Sequence, residues 1–131
     1  MNKMKQKNKI PETSHHHKEN SVTDKEHYEA YKIFFGTMVS ESRLKIINFL
    51  RNGKKNVSEI ISELKMDQTH VSHDLQRLRR CGFVLSEKSG KYVYYSLNKD
   101  SITPIMNLID KHMSSFCVHI LRDDKKGGES K

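Results

Sequence analysis

Residues 57–97 constrain the fold of this chain more than any other stretch, because few structures fit their order of helix, turn and hairpin signals. Apolar residues at helical spacing predict a helix over 57–64 and a second over 68–80, joined by a short turn at 65–67. A β-prone sequence with a Ser-Gly turn signal predicts a hairpin over 83–97. Two helices, a tight turn and a following hairpin together predict a winged helix-turn-helix.

Helical periodicity also predicts helices on either side of this unit, over about 24–36, 41–51 and 103–120. Gly36 is expected to end or bend the first of them, and Thr103-Pro104 is a start signal for the last. The expected fold class is therefore mainly α with a β-hairpin wing (α+β), with about five helices and a two-stranded hairpin.

Composition divides the chain into a central domain and two polar tails. We expect a disordered basic tail over 1–22, a winged helix-turn-helix domain for DNA binding and dimerisation over 23–121, and a disordered tail over 122–131. The tails hold too few apolar residues to offset the entropy lost on ordering. Three histidines, 15–17, can chelate a metal loosely, but incidental histidines in a flexible tail are the simpler interpretation.

Charge and motifs favour binding over catalysis. The formal net charge of +8 favours a polyanionic partner. No phosphate-binding glycine loop, H-E-x-x-H pair or dinucleotide-binding turn occurs, so we expect no enzyme. Two cysteines without a secretory signal or an apolar membrane span indicate a cytoplasmic protein.

The exposed face of the 68–80 helix is the first candidate site. Val71, Leu75 and Leu78 repeat at helical spacing and predict one buried stripe. The remaining polar positions are the predicted DNA contacts: Gln68, Thr69, His70, Ser72, His73, Gln76, Arg77 and Arg80. Gln76 and Arg77 are long enough to reach base edges, whereas the short hydroxyl groups suit phosphate. The plainer interpretation is a solvated polar face.

The hairpin is the second candidate site. Lys88 and Lys91 flank its turn, where they can contact the DNA backbone. The alternative is an exposed lysine turn on a structural hairpin. Tyr94 and Tyr95 are expected to point to opposite faces, so that at least one of them packs on the core.

Residues 38–97 resemble the ArsR/SmtB family of small dimeric repressors. The resemblance is carried by Ser42-Arg43-Leu44, Ile46-Ile47, Leu50, Val57-Ser58-Glu59-Ile60, Thr69-His70-Val71-Ser72-His73-Asp74-Leu75, Leu78-Arg79, Gly82-Phe83-Val84 and Tyr94-Tyr95-Ser96-Leu97. It implies a homodimer that binds a palindromic DNA operator and releases it when an inducer, usually a metal ion, binds.

The family's inducer sites are only partly matched. Members with a thiolate site in the third helix have cysteines near residues 57–59, where this chain has none. The family's zinc-type site in the last helix falls on Lys99, Ser101, His112 and Ser115, and only His112 is a suitable ligand there.

A different set of ligand types lies on the last predicted helix: Asp110, His112, Cys117 and His119. The two histidines are seven residues apart, as are Asp110 and Cys117, so each pair would share a face of a regular helix. Carboxylate, imidazole and thiolate suit zinc or a similar transition metal, with each half of a dimer supplying two ligands. The alternative is a dimer helix with a buried structural thiol at Cys117.

Two other functions fit the same fold. Cys81 or Cys117 could sense oxidation, or the regulator could work without an effector. Alternatively, the winged helix could serve only as a protein-assembly module. The polar, arginine-ended face of the 68–80 helix favours DNA over assembly.

Overall fold

The computed structural model describes the backbone of residues 21–129 and the side chains of residues 21–123. Its elements are α1 (Asp24–Met38), α2 (Glu41–Leu50), β1 (Lys55–Asn56), α3 (Val57–Leu64), α4 (Gln68–Arg80), β2 (Val84–Ser89), β3 (Tyr92–Leu97), α5 (Ile102–His112) and α6 (Val118–Glu129), with a π-helical segment, Met113–Cys117, between the last two. The predicted mainly α class with a hairpin wing is confirmed. Histidines 15–17 and most of the predicted tail over 1–22 lie outside the described residues.

Local capping bonds fix the helix-turn-helix at its predicted bounds. The Asn56 side chain accepts a hydrogen bond from the Glu59 backbone N–H, and the Glu59 carboxylate accepts one from the Asn56 N–H, both at 2.9 Å. Lys65 ends α3 in the left-handed conformation, with φ 54°. Asp67 then accepts from the His70 N–H at 2.7 Å and starts α4.

Gly82 turns the chain from α4 into the wing. It adopts φ 78°, a conformation that favours glycine. Its N–H donates to the Arg79 carbonyl at 3.0 Å, and the Phe83 N–H donates to the Leu78 carbonyl at 2.8 Å. These two bonds form a Schellman motif, with Gly82 as the residue that follows the helix cap.

The wing is part of a three-stranded antiparallel sheet in the order β1-β3-β2. Ser89 pairs with Tyr92, which leaves Gly90 and Lys91 as the tight turn. The short strand β1 pairs with β3 through Lys55 opposite Tyr95, and it was not predicted. Two residues are too few to show an alternating pattern in the sequence.

The core lies where α2, α3, α4, the base of the wing and the start of α5 meet. Its buried apolar side chains are Ile46, Ile47, Leu50, Ile60, Val71, Leu75, Leu78, Phe83, Val84, Leu97, Ile102 and Met106. The predicted stripe of α4 is confirmed, since all three of its residues are buried. This packing holds α4 with its opposite face toward solvent.

Two helix ends differ from the prediction. α1 continues through Gly36 to Met38, because one glycine in a helix costs too little to end it. α5 begins at Ile102, and Thr103 is not its cap. The Asn98 carbonyl accepts from the N–H groups of Ser101 and Ile102, at 3.2 and 3.0 Å, and this turn starts the helix earlier.

The terminal helix also differs from the prediction. α6 runs to Glu129, past the boundary at 121 where a disordered tail was expected. Before it, the Val118 N–H bonds to the Met113 carbonyl, five residues back, which defines the π segment. No helix among residues 21–129 combines the length and apolarity needed to cross a bilayer.

Candidate nucleic-acid interface

The outward face of α4 is a continuous polar surface. Thr69, Ser72, His73, Gln76 and Arg80 are exposed and follow one another at helical spacing, opposite the buried stripe. Gln68 is exposed at the N-terminal end of the same helix. The face offers hydroxyl, amide, imidazole and guanidinium groups, which are the side chains that contact phosphates and base edges.

The acidic residue within α4 does not lie on this face. The acidic residue within α4, Asp74, is buried with 4% exposure. It accepts hydrogen bonds from Ser42 Oγ at 2.5 Å and from Arg43 Nη1 at 3.3 Å, in the preceding helix α2. The pairing neutralises Asp74 internally, so the exposed charges of α4 are the arginines of its last turn.

His70 and Arg77 lie at the edge of the face, toward the other helices. His70 Nε2 is 3.4 Å from the Asp74 carboxylate. Arg77 Nε donates to the hydroxyl of Thr37, which is fully buried at the end of α1, at 3.1 Å. Both residues are exposed, but these contacts hold part of each side chain toward α1 and α4 rather than at the centre of the face, where Gln76 and Arg80 lie.

The wing presents a second cationic surface. Lys88 and Lys91 are exposed at the hairpin tip, and the Lys91 ammonium lies 5.5 Å from the centre of the Tyr92 ring. The Lys54 ammonium lies 5.3 Å from the centre of the Tyr94 ring, and Tyr95 packs against the core. The expectation that at least one of these tyrosines is structural is confirmed. Lys54 was missed because its place beside the wing depends on β1.

The predicted metal ligands do not form a site within one protomer. Among the described residues, no group of three or more His, Cys, Asp or Glu side chains is arranged to hold a metal ion. Asp110 instead pairs with Arg51, at 2.7 Å. The π segment has more residues per turn than an α-helix, so the seven-residue spacing between His112 and His119 no longer returns to one face.

Cys81 is a half-buried thiol packed against the core. Its sulfur lies 3.3 Å from Thr37 Oγ1. The Thr37 hydroxyl already donates its one proton to the Ile33 carbonyl, at 2.8 Å, so the thiol is the donor in the contact with sulfur. Cys81 therefore packs at the edge of the core and forms a hydrogen bond with α1.

Comparison with known proteins supports this geometry. Residues 40–86 match the model of the bacterial regulatory protein, arsR family. An HTH-type transcriptional regulator of Methanocaldococcus jannaschii, MJ1325, is 34% identical over 87 residues, which cover 66% of this chain and 98% of that protein.

Two further relatives differ in their named roles. The transcriptional activator HlyU of Vibrio cholerae is 29% identical over 79 residues, covering 60% of this chain and 73% of the activator. A probable mercury resistance operon repressor of Streptomyces lividans is 28% identical over 75 residues, covering 57% of this chain and 60% of the repressor.

Solved structures share the fold. The homodimeric winged helix-turn-helix DNA-binding domain of Mb0332 from Mycobacterium bovis superimposes with a TM-score of 0.65 at 20% identity, over 73% of this chain and 91% of that domain. The family model, the relatives and the shared fold are all consistent with the exposed recognition helix and the basic wing of this structure. The chain therefore belongs to the ArsR family of bacterial regulatory proteins, and it is a DNA-binding transcriptional regulator rather than an enzyme.

Proposed function

We propose that this regulator is a homodimeric repressor that binds a palindromic operator in the cytoplasm. The observation that carries the proposal is a large apolar surface left uncovered on the first and last helices. Tyr28, Phe35, Leu108 and Phe116 are each 63–67% exposed. Patches of this kind mark protein interfaces, and a second copy of the chain is the partner that a two-fold operator requires.

The short stretch of DNA that one recognition helix can contact also supports a dimer. One protomer offers a single recognition helix, whose outward face spans only a few base pairs. Dimers of helix-turn-helix proteins place two such helices in successive major grooves about 34–36 Å apart. Doubling the contacts in this way supplies the specificity that an operator needs. The homodimeric domain of Mb0332 has the same fold.

The proposed DNA contacts divide by reach and position. The predicted set is kept: Gln68, Thr69, His70, Ser72, His73, Gln76, Arg77, Arg80, Lys88 and Lys91. Gln76 and Arg80 are long, exposed and central, so we assign them to base edges. The hydroxyl groups near the start of α4 and the wing lysines are assigned to phosphates.

Selection of bound duplexes from a random library tests this function. The parent protein should sediment as a dimer and select an inverted repeat, which a promoter-reporter assay should then show to be repressed. Selection of a direct or single half-site would contradict the palindromic dimer. A parent that binds no duplex even at low salt would support the assembly-module alternative. Activation of the reporter would show that the protein is an activator rather than a repressor.

A metal ion as inducer is a finer proposal. The family includes a relative named as a mercury resistance operon repressor. Since the ligands are not grouped within a protomer, we propose a zinc-type site shared across the dimer, with Asp110, His112, Cys117 and His119 as the candidate ligands. Asp110 would have to leave its ion pair with Arg51 to bind metal.

Zinc and cobalt titration of the purified dimer tests the shared site. Loss of binding in His112→Ala and Cys117→Ser would support it, and cobalt would report thiolate ligation by its spectrum. Unchanged binding in both variants would remove these residues from any metal site. Mass spectrometry after mild peroxide treatment distinguishes the thiol-sensing alternative, which requires oxidation at Cys81 or Cys117.

A further inference from the structure

A hydrogen-bonded cluster joins the recognition helix α4 to the end of α1. Its centre is Arg43 in α2, whose guanidinium contacts both helices. Nε donates to the Thr37 carbonyl at 2.9 Å and Nη2 donates to the Gly36 carbonyl at 3.3 Å, while Nη1 reaches Asp74. The carbonyls of a last helical turn lack partners within the helix. Arg43 therefore satisfies two carbonyls of α1 and also forms an ion pair with Asp74 of α4.

A second connection runs through the Thr37 side chain. Its hydroxyl donates to Ile33 in its own helix and accepts from Arg77 and Cys81 at the far end of α4. All of its hydrogen-bonding capacity is therefore used. Among the described residues, no buried side-chain nitrogen or oxygen lacks a partner. A buried polar cluster that is fully satisfied favours one arrangement of its helices over others.

The position of the cluster gives it a consequence for DNA binding. α1 carries part of the uncovered apolar surface, including Tyr28 and Phe35, and α4 carries the DNA-binding face. An apolar core alone would tolerate small slides between these helices, because apolar contact is not directional. Arg43 and Thr37 bind at fixed directions to α1 and α4, so they oppose such slides.

We propose that Thr37, Arg43 and Asp74 are positioning residues that set the distance between the two recognition helices of the dimer, and hence the spacing of operator half-sites that it accepts. This inference rests on the proposed homodimer. Each added base pair moves a half-site by about 3.4 Å along the duplex and also rotates it. A rigid link between α1 and α4 therefore gives a sharp spacing preference, and a loosened link gives a broad one.

Two isosteric variants remove the link. Thr37→Val deletes the hydroxyl that accepts from Arg77, and Asp74→Asn removes the charge that holds Arg43. Thr37→Ser keeps the hydroxyl and is the conservative rescue. Lys45→Gln is the matched control, because Lys45 forms an exposed ion pair with Glu41 on the same helix as Arg43.

The experiment measures dissociation constants on the selected operator, on versions with the spacer changed by one or two base pairs, and on a single half-site duplex. For Thr37→Val and Asp74→Asn we expect half-site affinity within about twofold of the parent. Affinity for the best spacer should fall about tenfold, and the ratio between best and altered spacers should shrink at least threefold. Thr37→Ser and Lys45→Gln should keep the parent profile.

Three results would overturn the proposal. The first is an unchanged spacer profile in Thr37→Val while the protein remains a folded dimer. The second is an equal loss on the half-site and on every spacer, which indicates a merely structural role. The third is a spacer profile in Thr37→Ser, or in the control Lys45→Gln, that is as broad as the profile of Thr37→Val. If Asp74→Asn does not fold, the comparison of Thr37→Val with Thr37→Ser tests the proposal by itself. A parent that binds only as a monomer refutes the homodimer itself, before any variant is compared.

Discussion

Arg77 Nε lies 3.1 Å from the Thr37 hydroxyl, so a residue of the recognition helix is tied to the end of the first helix. The sequence predicted both Gln76 and Arg77 as base contacts, because both side chains are long enough to reach a base edge. In the structure the two neighbours differ in position: Gln76 lies on the outward face of α4, whereas Arg77 lies at the edge of that face. We therefore propose that Gln76 and Arg80, rather than Arg77, contact the base edges.

Substitution in the outward face should relax base preference. We expect Gln76→Ala and Arg80→Ala to cost about 1–3 kcal/mol of discrimination at one base pair each, because the shortened side chain no longer bonds to a base edge. Titration against the operator and its single-base variants measures this. Arg77→Ala is the comparison: it should lower stability and leave base preference intact. Relaxed preference in Arg77→Ala alone would return base reading to Arg77.

Substitution in the wing should act on salt dependence instead. Lys88→Ala and Lys91→Ala should weaken binding to all duplexes equally and reduce the slope of log K against log salt by about 1 for each phosphate that is no longer neutralised. Affinities measured at several salt concentrations give the slope. Lys99→Ala, an exposed lysine outside the hairpin, is the control. A wing variant with the parent slope would place that lysine away from DNA.

Local signals made the helix-turn-helix predictable. Asp67 and Gly82 act on residues within four positions of themselves, so the capping chemistry could be read in the sequence. The stripe of α4 was also predictable, because three apolar residues at helical spacing require a buried face. The polar, outward face of α4 could then be predicted as the side of the helix opposite this stripe.

Contacts between distant residues were not predictable. Asp74 pairs with Arg43, 31 positions away, and nothing in the sequence identifies that partner. The position of Asp74 beside Leu75 and three residues after Val71, on the buried side of the helix, was the available signal for its burial. The π segment was also missed, because its wider turn depends on packing rather than composition.

Two glycines should respond in opposite directions to alanine. Gly82 has φ 78° and open space around it, so Gly82→Ala should destabilise by about 1–2 kcal/mol through backbone strain alone. Gly36 lies within α1 and also has open space, so Gly36→Ala should stabilise by about 0.5–1 kcal/mol. Urea unfolding at one fixed protein concentration measures both. The same sign for both changes would contradict the backbone assignments.

Truncation of the α4 stripe should be costly. Leu75 is 1% exposed, so Leu75→Ala leaves a cavity in the core and should destabilise by about 2–5 kcal/mol. Leu85, on the wing, is 52% exposed and serves as the control, because Leu85→Ala removes little buried surface. Thermal and urea unfolding measure both changes. A loss below that of Leu85→Ala would mean that α4 does not pack as described.

A charge on the uncovered face of the last helices should separate the dimer and spare the fold. Phe116 is 64% exposed in the protomer, so Phe116→Asp leaves the core intact, but it places a charge in the apolar interface that we propose. We expect native-like circular dichroism, sedimentation as a monomer and retained binding to a half-site duplex. Lys99→Asp also introduces a carboxylate, outside these helices, and should remain dimeric. A dimeric Phe116→Asp would move the interface elsewhere, whereas unfolding of the variant would show that Phe116 supports the protomer itself.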